Sequence, residues 1–242
     1  MNFNAVDLKE FYDSIQGKVV QRIVRQRLRE FWPETKGQRV IGLGYPLPYL
    51  KSFMGDSERV VALMPQAQGA VFWPPDENGL VSVCHEQQWP IESNSVDKIF
   101  VVHAVHDLED LDSILRESWR VLTGQGRLIL VVPNRQGLWA RFDHTPFGHG
   151  VPYSMGQMRQ ILKEYMFVPE RCERALFLPP TSSRLMLVMA PVFEKLGYRF
   201  MNVFGGVNIV EASKQIYAGT LVGAVNPGFV RRPVVSAVRP TS

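Results

Sequence analysis

Five histidines are the side chains of this sequence best suited to moving a proton near neutral pH: His85, His103, His106, His144 and His149. His103 is the leading candidate for a catalytic base. It directly follows the apolar run Lys98-Ile99-Phe100-Val101-Val102, and His106 and Asp107 stand three and four residues on. An imidazole at the end of a buried strand can take a proton from a reacting group. The structural alternative for the same residues is a packed, hydrogen-bonded His103, with His106 and Asp107 capping the next helix. A second group lies in the stretch holding Trp139, Arg141, His144, Phe147, His149 and Tyr153. Its aromatics could exclude water from a bound molecule, and Arg141 or His144 could hold an anionic group. The alternative is an ordered loop that packs those aromatics on the core. His144 and His149 have no third ligand at metal spacing, and Cys84 and Cys172 are far apart, so no metal site is expected.

The other chemical feature is Val40-Ile41-Gly42-Leu43-Gly44. A buried strand that ends in Gly-x-Gly and enters a helix presents backbone amides to the polar groups of a nucleotide. The dinucleotide fingerprint is incomplete. Leu47 stands where it needs a third glycine, and Met64 stands where the second strand should end in an acid, which argues against a dehydrogenase.

The elements that must position these residues follow from periodicity. Residues 5–32 read as helix in two pieces meeting near Gly17, ended by Pro33. Buried strands are predicted at 39–44, 60–64, 80–84, 98–102 and 127–132, with an amphipathic helix at 108–122. Beyond residue 137 the reading is a loop at 142–154, a helix from a Ser154 cap to about 166, and a strand at 172–178. A helix interrupted by Pro191 follows at 183–200, and a last strand at 208–216. Continuous apolar strands alternating with helices predict a doubly wound, mostly parallel α/β sheet, with ligands beyond the carboxyl ends of the strands. The expected organisation is a helical extension at 1–36, an α/β domain at 37–225 and a flexible basic tail at 226–242.

Composition agrees with one large domain. The chain has 242 residues, 45% hydrophobic and 21% charged, near globular averages. No apolar run approaches about 18 residues, so no transmembrane span is predicted. The longest, 185–193, contains Pro191 and reads as a buried helix. The first residues lack a signal-peptide pattern, which predicts a cytoplasmic location. The net charge is +4, and basic residues gather at Arg22, Arg25, Arg27 and Arg29, and at Arg231, Arg232 and Arg239. The first group reads as a solvated helix face, so no nucleic-acid partner is expected. The apolar residues of that helix are assigned to covering the sheet rather than a membrane surface. Glu211 and Lys214 read as an ordinary surface pair.

Three segments in order, Val40 to Gly44, Trp89-Pro90-Ile91-Glu92-Ser93-Asn94-Ser95-Val96-Asp97, and Trp119-Arg120-Val121-Leu122-Thr123-Gly124-Gln125-Gly126-Arg127-Leu128, resemble the class I S-adenosylmethionine-dependent methyltransferases, nearest to the type 11 group. The resemblance implies a seven-stranded sheet whose last strand is antiparallel, and S-adenosylmethionine as cofactor. It places cofactor-binding positions at Gly42, Leu43, Gly44, Tyr45, Met64, Pro65, His85, Glu86, Val102 and His103, with the methionine half against the turn after the first strand. At the family's acidic and later glycine positions this chain has Gly42, Pro46 and Pro48, and Met64 replaces the carboxylate that grips the ribose. Two expectations follow. The first is methylation of a small-molecule or lipid-like acceptor, with His103 as base and with Trp139, Arg141, His144, His149 and Tyr153 toward the acceptor. The second is a non-catalytic member that binds a protein partner.

Overall fold

The computed structural model describes residues 3–74 and 79–216. The expected tail, with Arg231, Arg232 and Arg239, lies outside them. Seven strands form one sheet: β1 (Arg39–Gly44), β2 (Arg59–Pro65), β3 (Val81–Cys84), β4 (Val96–Val102), β5 (Leu122–Pro133), β6 (Phe167–Ala175) and β7 (Val207–Lys214). Their order is β3-β2-β1-β4-β5-β7-β6. Neighbours are parallel except β7, which runs antiparallel to both β5 and β6. This is the doubly wound, mostly parallel seven-stranded sheet that the sequence predicts.

Helices cover both faces. On one face lie α1 (Ala5–Asp13), α2 (Ile15–Phe31) and the short α3 (Leu47–Leu50), joined by α6 (Arg184–Val188) and α7 (Ala190–Phe200). On the other lie α4 (Leu108–Val121) and α5 (Met155–Glu164). β1, β2 and β4 are buried almost throughout, because helices on both sides leave no wet face to alternate with. Helix starts follow their caps. Asn4 and Asp7 form a capping box on α1, Ser154 and Gln157 form one on α5, and Asp107 caps α4 by accepting from the Asp110 amide. Prolines at the start of α3 and α7 sit where a missing N–H costs no helix hydrogen bond.

Several expectations change. The break between α1 and α2 is at Ser14, whose side chain accepts from the Gly17 amide, and Gly17 instead lets the two helices approach closely. β5 begins at Leu122, five residues early. β6 covers Phe167–Ala175 rather than 172–178. It is an edge strand whose charged Glu170, Arg171, Glu173 and Arg174 obscure any apolar pattern, and such charges guard an edge against unwanted pairing. Glu211 and Lys214 do not pair, because residues three apart on a strand point to opposite faces. Glu211 accepts from Trp32 Nε1 at 2.9 Å. Lys214 is buried and donates to Leu122 O at 2.7 Å and Asn94 Oδ1 at 2.8 Å. The predicted buried helix over 185–193 is overturned. α6 and α7 bury Leu187 and Ala190 but expose Leu185, Val188, Met189 and Val192.

Candidate functional site

Strand order reverses between β1 and β4, and the carboxyl ends of β1, β2 and β4 meet there. Gly44 turns the chain out of β1 with φ +90°, and a Cβ on it would lie 2.1 Å from the carbonyl oxygen of Val102. Only glycine fits that approach. The next amide, of Tyr45, donates to the same Val102 oxygen at 2.9 Å. Pro46 then folds back over Gly42, where a Cβ would lie 2.3 Å from Pro46 Cβ. An acidic side chain at residue 42 therefore has no room in this turn. Leu43 points to the opposite face and packs in the α4–α5 core. Met64 is fully buried at the end of β2 and offers no ribose acceptor.

The space over this turn is taken by α1. The Tyr12 hydroxyl lies 2.6 Å from the Tyr49 hydroxyl and 2.7 Å from His103 Nε2, and its ring stacks on Tyr45 with centroids 5.8 Å apart. His103 follows β4 with φ +54°, and its ring sits 4.7 Å from that of Phe147. Burial, helped by the nearby His106, lowers the His103 pKa to about 3, so its imidazole is neutral near pH 7. Burial likewise pushes Tyr45 up to about 12 and raises Tyr12 and Tyr49, which keeps all three hydroxyls protonated. The result is an uncharged network that joins α1 to β4.

Beside it a cleft remains. It has a volume of about 240 Å³ and is lined by Pro65, Gln68, Glu86, Ala104, His106 and Asp107, with Phe3 and Asn4 at its α1 side. Gln68 is 6% exposed. Its Nε2 donates to His103 O at 2.7 Å, its backbone oxygen accepts from Ala5 N at 2.8 Å, and its Oε1 has no partner. His106 Nδ1 is also buried without a partner, and burial lowers that imidazole despite Asp110 and Asp107. Orphaned polar atoms beside a cleft are what a polar ligand would satisfy. His85 is not part of this cleft. Its side chain points to a separate depression with Trp89, Glu117 and Arg120, while Glu86 lines the cleft and accepts from Ala67 N at 3.2 Å.

The residues assigned to the acceptor divide three ways. Trp139 and Tyr153 belong to the core, and Trp139 Nε1 donates to Leu178 O at 2.7 Å. Arg141 is exposed on a 3-10 turn. His144 and His149 line an open groove of about 560 Å³ against Phe3, Asp7, Glu10 and Phe11 of the N-terminal segment. Tyr12, Tyr49 and Gln68 were not legible as site residues. Only their aromatic or polar type in otherwise apolar segments distinguishes them. Among the described residues no cluster of His, Cys, Asp and Glu could hold a metal ion.

S-adenosylmethionine can be tested against this geometry. The cleft, with Gln68 Oε1 and Glu86, suits the adenine and ribose end. At about 240 Å³ it is smaller than the roughly 300–1,000 Å³ of sites that enclose ligands of that size. The side toward Gly44, against which the family holds the methionine half, is filled by Tyr12 while α1 is in place.

Sheet order, the antiparallel seventh strand and the glycine turn define the class I S-adenosylmethionine-dependent methyltransferase fold. Residues 42–130 match a family described as methyltransferase domain. No curated protein matches this chain. Among solved structures, a SAM-dependent methyltransferase from Archaeoglobus fulgidus is similar with TM-score 0.58 and 17% identity, over 80% of this chain and 94% of that one. A putative methyltransferase of Haloferax volcanii, solved in complex with the Trm112 methyltransferase activator, gives TM-score 0.54 and 12% identity, over 87% and 95%. Phosphoethanolamine N-methyltransferase 2 of Haemonchus contortus, in complex with phosphomonomethylethanolamine and S-adenosylhomocysteine, gives 0.51 and 15%, over 78% of this chain and 51% of that one. At these identities the likeness is one of fold.

Proposed function

We propose that this protein is an S-adenosylmethionine-dependent methyltransferase acting on a small-molecule or lipid-like acceptor. The observation that carries the reading is the polar cleft at the ends of β2, β3 and β4, with the unpartnered Gln68 Oε1 and His106 Nδ1 beside it. Bound there, the cofactor would supply an activated methyl group on a sulfonium. Gln68 and Glu86 would orient its nucleoside end, and Pro65 and Ala104 would wall it. Tyr12 and His103 would hold the closed position of α1, which must shift to admit the rest. His103, neutral and hydrogen-bonded, could accept a proton from the acceptor only after Tyr12 leaves it. The groove between α1 and the 142–149 loop offers apolar Phe3 and Phe11 beside polar Glu10 and His144, which suits an acceptor with an apolar body and a polar end.

Calorimetry with S-adenosylmethionine and S-adenosylhomocysteine tests the reading. Micromolar binding is expected, weakened about tenfold by Gln68→Ala or Glu86→Ala. Ligand at 100 times its dissociation constant should add roughly 2.7 kcal/mol of stability. No binding at millimolar ligand overturns the enzyme and leaves the fold as a module for a protein partner.

A further inference from the structure

The connection from β6 to β7 is long and helical, and its outer surface is apolar. Leu185 is 75% exposed, Val188 74%, Phe200 72% and Phe204 59%. Met189, Val192 and Leu196 lie exposed between them, so that 185, 188, 189, 192, 196 and 200 recur at helical steps on α6 and α7. A surface of this extent is unusual on a protein that stays in water. The charges around it have one sign. Arg184, Lys195 and Arg199 are exposed and form no ion pair among the described residues. The one acid of the segment, Glu194, is turned inward and accepts from the Phe177 amide at 2.6 Å. A groove of about 350 Å³ between α7 and α2 adds Arg22, which is exposed and likewise without an ion pair.

We propose that α6, α7 and the turn after them dock on an anionic lipid bilayer, with the apolar row entering the interface and Arg22, Arg184, Lys195 and Arg199 meeting lipid phosphates. Exposed apolar side chains beside cations, with aromatics at Phe200 and Phe204, match a helix lying in the plane of a membrane surface. A protein partner or second copy would be served by the apolar row alone, and the uniform positive charge favours the bilayer. Position adds to this. β7 starts at Val207 opposite Pro133, the carboxyl end of β5, so the turn that follows α7 lies at the same edge of the sheet as the cleft. The proposal stands whether or not the cleft binds cofactor.

The test is co-sedimentation of the full chain with vesicles of phosphatidylcholine alone or with about one-third phosphatidylglycerol. Binding is expected to the anionic vesicles and to fall with added salt. Each cation near an anionic surface is worth roughly fivefold in affinity, so Arg184→Ala, Lys195→Ala and Arg199→Ala together should weaken binding about 100-fold. Leu196→Glu with Phe200→Glu should abolish it while leaving the melting temperature unchanged, since both side chains are exposed. Phe72→Glu, on an exposed side chain outside this surface, should have no effect. Equal weak binding to both vesicle types, or binding that survives Leu196→Glu with Phe200→Glu, overturns the proposal. So does a micromolar dimer abolished by that double variant, or binding that emerges only when residues 217–242 are removed, which would make the occupant a second copy or the chain's own terminus.

Discussion

Replacing Tyr12 by Phe separates what α1 contributes to stability from what it does to ligand binding. The hydroxyl bridges Tyr49 and His103 Nε2 at 2.6 and 2.7 Å in a buried setting. Its removal leaves both without that partner, at about 1–3 kcal/mol for each unsatisfied group. A total near 2 kcal/mol, the low end, lowers the melting temperature of a chain this size by roughly 4–8 °C. The ring itself still fits, so its apolar packing is kept. If Tyr12 must leave for the whole cofactor to enter, the same loss also weakens the closed state against the open one. About 2 kcal/mol then raises the apparent affinity for S-adenosylhomocysteine roughly 30-fold, because less free energy is spent opening the site. The assay is a urea or thermal melt paired with calorimetry on the same preparation. Opposite signs, lower stability with tighter binding, are expected. Lower stability with unchanged or weaker binding would refute the placement of Tyr12 over the cofactor's path.

Other outcomes follow from single contacts. Gly44→Ala should destabilise the fold by several kcal/mol, read as a sharply lowered urea midpoint, because a Cβ meets the Val102 oxygen at 2.1 Å and φ +90° is itself strained for alanine, at roughly 1–3 kcal/mol. An unchanged midpoint would mean that the turn is built differently. His103 should show no imidazole titration by NMR between pH 5 and 8, since its pKa is lowered to about 3. Its unfolded form binds a proton near pH 6.5, so its contribution to stability is full above that pH and is lost as pH falls toward 3. His103→Asn should flatten that limb, and an imidazole titrating near 6.5 would contradict its burial. Burial raises the Glu117 pKa, but Arg120 and the Trp89 amide outweigh that and hold it below the usual carboxylate range. Its stabilisation is present above the unfolded pKa and lost as pH falls through the folded one. Glu117→Gln should make the melting temperature less sensitive to acid over that range, and an identical acid limb would show that the pair carries no linkage.

How much was legible in the sequence depended on how local the determining physics is. β1, β2 and β4 could be read because strands covered on both faces need unbroken apolar runs, and such runs are visible without knowing their neighbours. Asp107 and Ser154 announce helix starts because a cap acts within three residues. The glycine turn and the motifs around β4 and β5 carried the fold for the same reason. The start of β6 was legible only five residues late because its charges answer to its place at the edge, which is a property of the sheet.

The site was decided by contacts no local pattern encodes. Tyr12 meets His103 across 91 residues of chain, and Gln68 ties the start of α1 to the end of β4. Apolar periodicity marks α1 as a covering helix but is silent on which strand end it covers. Neighbouring in the sequence, His85 and Glu86 face different depressions, a choice made by the turn after β3. The 185–204 segment shows the limit most plainly. An apolar helix looks the same in sequence whether it lies inside a core or on a surface, because periodicity reports which residues share a face and packing alone decides what lies against it. The sequence by itself determined the class of fold and the positions of most elements. Tertiary structure decided which residues share a cleft, what closes it, and which apolar face is left for something else to cover.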